Sequence, residues 1–109
     1  MEILFFVDED GRKPFAIWRR GLDPAARIRV DRMLERLASG NLASLKGVGA
    51  GVLEARIDWG PGYRLYMGRD GETLLILLEG GTKSRQSDDI AAAKRRWAMY
   101  KRQKGQGDD

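Results

Sequence analysis

Three strand-like runs separated by two glycine turns dominate the second half of the chain, and they constrain its fold most. In residues 53–57 and 63–67, apolar and polar side chains alternate, as in strands with one buried face. Residues 74–78 are apolar throughout, which is typical of a central strand. The turns lie at residues 60–62 (GPG) and 70–71 (DG), and Asp-Gly favours a hairpin. We therefore predict an antiparallel meander.

A strand and two helices are predicted before the meander. The short apolar run at residues 2–7 is predicted to be a strand. Phe15, Trp18 and Leu22 recur at helical spacing and predict a short first helix, which Gly21 is expected to end. A second helix is predicted to begin at Asp23 and Pro24, because Asp caps free N–H groups and Pro suits the first helical position. Residues 39–41 (SGN) are predicted to end it.

Glycine and serine set the remaining boundaries. Residues 42–52 are rich in glycine and are expected to form a loop. Gly80 and Gly81 are expected to break the last strand. Ser87, followed by two acids, is predicted to cap a final helix. The apolar stripe of that helix consists of Ile90, Ala93, Trp97 and Tyr100.

The predicted order is β-α-α-β-β-β-α, which belongs to the α+β class. We expect a small, mostly antiparallel sheet with the two N-terminal helices on one face, and a C-terminal helix. Residues 1–104 are predicted to form a single domain, and residues 105–109 a disordered tail.

Composition excludes several kinds of chemistry. The 109 residues include no cysteine and no histidine, which excludes disulfides, zinc fingers and Ser-His-Asp triads. We expect no metal and no cofactor. The longest apolar run, residues 74–78, is far shorter than the ~20 residues that span a bilayer. No signal peptide is expected either. We therefore expect a cytoplasmic protein without membrane contact. The net charge of +4 suits a phosphate backbone or an acidic protein equally well.

Four basic residues are candidates for binding an anion. Arg56 and Arg64 are out of phase with the core residues of their strands, so on paired strands they share one face with Tyr66. An ordinary solvated face explains this pattern equally well. Lys83 and Lys46 each lie in a glycine-rich segment, and together they make an anion-binding concavity plausible. The segment GGTKS around Lys83 lacks the glycine spacing of a P-loop.

A series of short motifs runs in order from about Phe15 to Trp97. It comprises Trp18, Gly40-Asn41, residues 45–49 (LKGVG), 53–57 (LEARI), 60–66 (GPGYRLY) and 80–84 (GGTKS), Gln86 and Asp89-Ile90. In these motifs the chain resembles the RelE/ParE superfamily of toxin–antitoxin toxins, particularly its HigB-like "addiction module killer protein" branch.

The resemblance implies a toxin of a type II toxin–antitoxin system, acting as an mRNA interferase. Such an endoribonuclease cuts mRNA on the ribosome, inhibits translation, and is neutralised by a cognate helix-turn-helix antitoxin. The 2′-hydroxyl attacks the adjacent phosphate, so the site must move protons and stabilise a charged phosphorane. The resemblance implies that the catalytic residues are Arg56, Arg64 and Lys83. It further implies an RNA-binding role for Lys46, and Tyr66 and Arg85 are two more candidate RNA-binding residues.

The chain departs from the family pattern at the proton-transfer positions. RelE-type enzymes have a basic residue where this chain has Glu54, and a tyrosine where it has Asp89 and Ile90. Glu54 is a candidate general base, and equally a candidate ion-pair partner of Arg56. Two alternatives therefore remain: a non-catalytic ribosome-binding toxin and a ParE-like inhibitor of DNA gyrase. The Trp97 stripe of the last helix is a candidate contact for the antitoxin.

Overall fold

A five-stranded sheet lies between two layers of helix in the computed structural model, which describes residues 1–107. The order across the sheet is β1-β5-β4-β3-β2; β1 runs parallel to β5, and the other neighbours are antiparallel. The strands are β1 (Glu2–Phe5), β2 (Lys46–Gly49), β3 (Val52–Ile57), β4 (Tyr63–Asp70) and β5 (Leu74–Thr82). The helices are α1 (Pro14–Arg20), α2 (Pro24–Ala38) and α3 (Gln86–Gly107), with a 3-10 turn at Lys83–Arg85.

The predicted α+β class and the mostly antiparallel sheet are confirmed. One strand is additional, because residues 46–49 of the expected loop form β2, which pairs with β3. The prediction of a loop was wrong there, since four residues of alternating glycine carry almost no side-chain pattern. Ala50 and Gly51 both take positive φ angles, which lets the chain turn directly into β3.

The helices α1 and α2 cover one face of the sheet. The side chain of Asp23 accepts a hydrogen bond from the backbone N–H of Ala26 at 2.8 Å, and Pro24 follows it, as predicted. Both oxygens of Asp31 in α2 accept hydrogen bonds from Arg19 in α1, at 2.7 and 2.6 Å. The core on this face consists of Phe15, Val30, Met33, Leu37, Ala55, Leu65, Met67, Leu75 and Leu77.

The helix α3 covers the opposite face, where its apolar stripe is core. Trp97 is only 7% exposed and packs over β4, so the stripe is occupied within the domain rather than open to an antitoxin. The helix begins at Gln86, one residue before the predicted cap, and includes residues 105–107 of the expected tail. Residues 108–109 lie outside the described part of the chain. Between residues 1 and 107, no helix is long and apolar enough to cross a membrane.

The expected strand break at Gly80 and Gly81 was wrong, because β5 continues to Thr82. A methyl group at Gly80 would overlap the indole of Trp18 in α1, and one at Gly81 would overlap the carboxylate of Asp89 in α3. These glycines therefore admit helix side chains onto the two faces of the strand, and they do not end it.

Gly68 in β4 has the same role beneath Trp97, which allows a stability test. We expect Gly68→Ala to lower the free energy of unfolding by about 1–3 kcal/mol, because the methyl group would overlap the indole ring. The matched control is Gly47→Ala, whose methyl group would meet no atom within 4 Å. It should be neutral or stabilising by up to about 1 kcal/mol. Urea unfolding measures both changes, and equal effects would contradict this packing.

Candidate functional site

The pairing of β3 with β4 places the predicted arginines side by side. Arg56 is the cross-strand partner of Arg64, and Glu54 is the partner of Tyr66. Residues directly opposite each other in an antiparallel pair project from the same face of the sheet. On its other side, Arg64 is the cross-strand partner of Gly81 in β5. The predicted common face of these side chains is therefore confirmed.

Arg64 and Lys83 line one cavity of about 300 Å³, which we call the Arg64–Lys83 cavity. A methyl group at Gly62 would lie 3.4 Å from Cβ of Lys83 and 3.7 Å from Nη1 of Arg64, so both side chains flank this glycine. The backbone N–H of Lys83 donates to the carbonyl of Gly62 at 2.7 Å, which fixes the 3-10 turn beside the β3–β4 turn. The remaining lining residues are Asp58, Trp59, Gly60 and Pro61.

The charge of Arg64 is poorly neutralised. The residue is only 4% exposed. Its Nη1 donates to the carbonyl of Tyr63 at 3.3 Å and lies 3.9 Å from Asp58, whose side chain is 90% exposed. Its Nε is buried and has no hydrogen-bond partner among the described residues. A buried cation in this position favours an anionic ligand, because burial without a close counter-charge is costly.

Arg56 is instead held by Glu54. Its Nε donates to Oε1 of Glu54 at 2.8 Å, and Gln86 of α3 donates to Oε2, also at 2.8 Å. Burial of Glu54 acts to raise the pKa of its carboxyl, but the hydrogen bonds from Arg56 and Gln86 outweigh it and lower the pKa. The structure thus contains the ion pair, and a fully buried carboxylate with a lowered pKa is poorly suited to act as a general base.

The three predicted RNA contacts lie in different surroundings. Tyr66 is fully buried, and burial followed by the charge of Glu54 raises its pKa, so its predicted contact with RNA is not available at the surface. Lys46 is exposed on the edge strand β2, opposite Glu54, and Arg85 is exposed in the 3-10 turn. Neither Lys46 nor Arg85 lines the Arg64–Lys83 cavity, and their RNA contacts stay predictions.

Asp89 is a buried carboxyl whose environment the sequence did not reveal. It is 7% exposed, and its Oδ2 has no hydrogen-bond partner among residues 1–107. Burial raises the pKa of Asp89, and the neighbouring charge of Glu79 raises it further. The sequence indicated only an acid in the first turn of a helix. Its insertion over Gly81, opposite Arg64, depends on how α3 packs.

A second cavity, of about 390 Å³, shares Asp58 and Trp59 with the first. In the sequence, arginines at positions 29, 32 and 36 recur at helical spacing, but nothing in it indicates which strand they meet. We call this space the arginine cavity, after its lining residues Arg29, Arg32, Arg36 and Arg56.

Comparison with known proteins identifies one relative and no family model that matches the chain. A Haemophilus influenzae protein, described as uncharacterized, is 44% identical over 69 residues. The alignment covers 63% of this chain and 70% of that protein.

The two buried carboxyls should respond to pH with opposite signs. The pKa of Glu54 is lowered in the folded protein, so the stability it contributes is present at neutral pH and is lost as pH falls below about 5. The difference in unfolding free energy between the wild type and Glu54→Gln should therefore shrink on acidification. The pKa of Asp89 is raised, so the wild type should lose stability relative to Asp89→Asn as pH rises. Urea unfolding across a pH series measures both differences, and parallel trends would contradict these environments.

Proposed function

We propose that this protein is a HigB-like toxin of the RelE/ParE superfamily. The chain belongs to the same family as the Haemophilus influenzae protein. In this proposal it binds mRNA on the ribosome and cuts it, acts in the cytoplasm, and is neutralised by a helix-turn-helix antitoxin. The observation that carries the proposal is the Arg64–Lys83 cavity, where a buried guanidinium and an exposed ammonium flank the same turn. The order of helices and strands, and the motif residues that line the cavity, support it.

The two cations suit a phosphodiester in different ways. Arg64 is held by strand β4, so its guanidinium is preorganised for the extra negative charge of a phosphorane. Lys83 is exposed at the rim and supplies a second, mobile positive charge. Stabilisation of this kind strengthens as the phosphate gains charge, and it therefore accelerates the reaction rather than only binding the substrate.

Arg56 contributes differently from the role that the resemblance implies. Its side chain is about half exposed, but one of its guanidinium nitrogens is committed to Glu54. A partly neutralised arginine still binds phosphate through its remaining N–H groups. We therefore assign Arg56 to the arginine cavity and leave Arg64 and Lys83 as the phosphate-stabilising pair.

A binding-only toxin is the second candidate, because the described residues that line the Arg64–Lys83 cavity offer a single carboxylate as a general base. Its acidic residue, Asp58, is exposed, and Glu54 is committed to Arg56 and Gln86. Such a protein would block the ribosome by occupancy. Inhibition that requires one toxin per ribosome and leaves the mRNA intact would favour this candidate over cleavage.

Substitution of the cavity cations tests the proposed cleavage. We expect Arg64→Ala and Lys83→Ala each to lower the cleavage rate of ribosome-bound mRNA by roughly 10²–10³-fold, because each removes one charge-stabilising donor. Primer extension on purified ribosome complexes measures this rate, and growth arrest in cells provides a second reading. The control is Arg95→Ala, which removes an exposed arginine from α3 and should leave the rate unchanged.

Lys83 is the decisive position, because it is exposed and its removal should not disturb folding. Folded Lys83→Ala protein with wild-type cleavage would refute the assigned site. A wild type that leaves mRNA intact but inhibits DNA supercoiling would refute the ribosomal function and favour the gyrase alternative.

A further inference from the structure

The arginine cavity is built from two separate segments. Arg29, Arg32 and Arg36 recur at i, i+3 and i+7, so they form one stripe that extends about 10 Å along α2, at ~1.5 Å per residue. Arg56 approaches from β3. Because the last pairing of β2 with β3 is at Glu54, Arg56 lies on an open edge of the sheet, close to α2.

Trp59 forms one side of this cavity and orients the side chain of Arg29. The guanidinium of Arg29 lies over its indole, 4.2 Å from the ring centroid. The indole is itself stacked on Tyr63, with centroids 6.3 Å apart and an interplanar angle of 24°. Arg29 is therefore held in place by a cation–π contact that leaves its charge uncompensated.

The cavity has an excess of positive charge. Among residues 1–107, Arg29, Arg32 and Arg36 form no ion pair with a carboxylate. Among the described residues of the lining, Asp58 is the one acid, and its side chain is almost fully exposed. Several uncompensated guanidinium groups facing one concave space raise the local concentration of anions.

We propose that the arginine cavity binds RNA phosphates that flank the phosphate held by Arg64 and Lys83, so that one strand lies across both cavities. This inference rests on the proposed function. The shared wall of Asp58 and Trp59 makes the two cavities neighbours, as a continuous polyanion requires. Guanidinium groups match phosphate oxygens in a bidentate geometry.

An acidic peptide fits this space less well than RNA. An amphipathic protein segment needs an apolar surface on which to pack. The aliphatic residues of the lining are Met33, which is buried, and Ile57, so the cavity offers little such surface. The flanking phosphates carry the same charge before and during cleavage. The arginine cavity should therefore increase affinity without changing the rate of the chemical step.

The salt dependence of RNA binding tests the inference. The probe is a short single-stranded RNA with 2′-O-methyl groups, which resists cleavage, and fluorescence anisotropy measures its affinity over a range of salt concentrations. We expect the double substitution Arg32→Gln and Arg36→Gln to reduce the slope of log K against log[salt] by about 1.4, or ~0.7 for each lost phosphate contact. The matched control is Arg95→Gln with Arg102→Gln on α3, both exposed, which should change the slope by less than half as much.

The outcomes separate this inference from the proposed function. RNA binding with an unchanged slope in the α2 variant overturns the inference alone. An α2 variant that loses affinity for a poly-glutamate peptide but keeps its RNA slope also overturns it, and assigns the cavity to an acidic protein. The expected slope change in a protein that cuts no mRNA supports the inference and overturns the proposed cleavage. In an active protein, the α2 variant should have a raised KM and an unchanged kcat, and a large fall in kcat contradicts a binding role.

Discussion

The fold depends on glycines in the central strands that leave room for large side chains from the helices. Trp97 of α3 lies where a side chain at Gly68 would be, and Trp18 of α1 does the same at Gly80. Because β4 and β5 are buried on both faces, these contacts fix each helix against the sheet at one height and register. Any added methyl group would have to push a helix away from the sheet. The positions of the candidate site residues follow from this constraint.

The packing of α3 against the sheet also buries charged side chains beneath the helix. With α3 packed on the sheet, the carboxyl groups of Glu54 and Asp89 are buried. Arg64, on β4 between β3 and β5, is a buried cation. Glu54 is satisfied by Arg56 and by α3, whereas within residues 1–107 the ion-pair partner of Arg64 is a distant, exposed acid. The imbalance places an under-neutralised guanidinium at the cavity beside Lys83. A phosphate is the chemical group that would complete this arrangement.

The sequence predicted what is encoded locally. Asp23 and its neighbouring proline define the start of α2 through contacts within four residues, and strand alternation placed Arg56 and Arg64 on one face. The strand β2 was missed because its pairing is made by backbone groups of a glycine-rich segment, which side-chain periodicity cannot reveal. The role of Gly81 was misjudged for another reason: the side chain that needs the space, Asp89, comes from a helix whose packing is a tertiary property. Burial depth at the site is equally non-local, and it distinguishes Arg64 from the exposed Lys83.

Our proposal is that the Arg64–Lys83 cavity holds an RNA phosphate. Its most direct test is a two-dimensional ¹H–¹⁵N NMR titration, including the arginine Nε–H signals, with a short 2′-O-methyl RNA. We expect the largest shifts at Gly62, Lys83 and the Nε–H of Arg64, and we expect them to saturate together. Signals from the exposed face of α3, such as the backbone amide of Arg95, should remain unchanged. Shifts confined to α3, or an Arg64 signal that does not move while RNA binds, would contradict phosphate binding in this cavity.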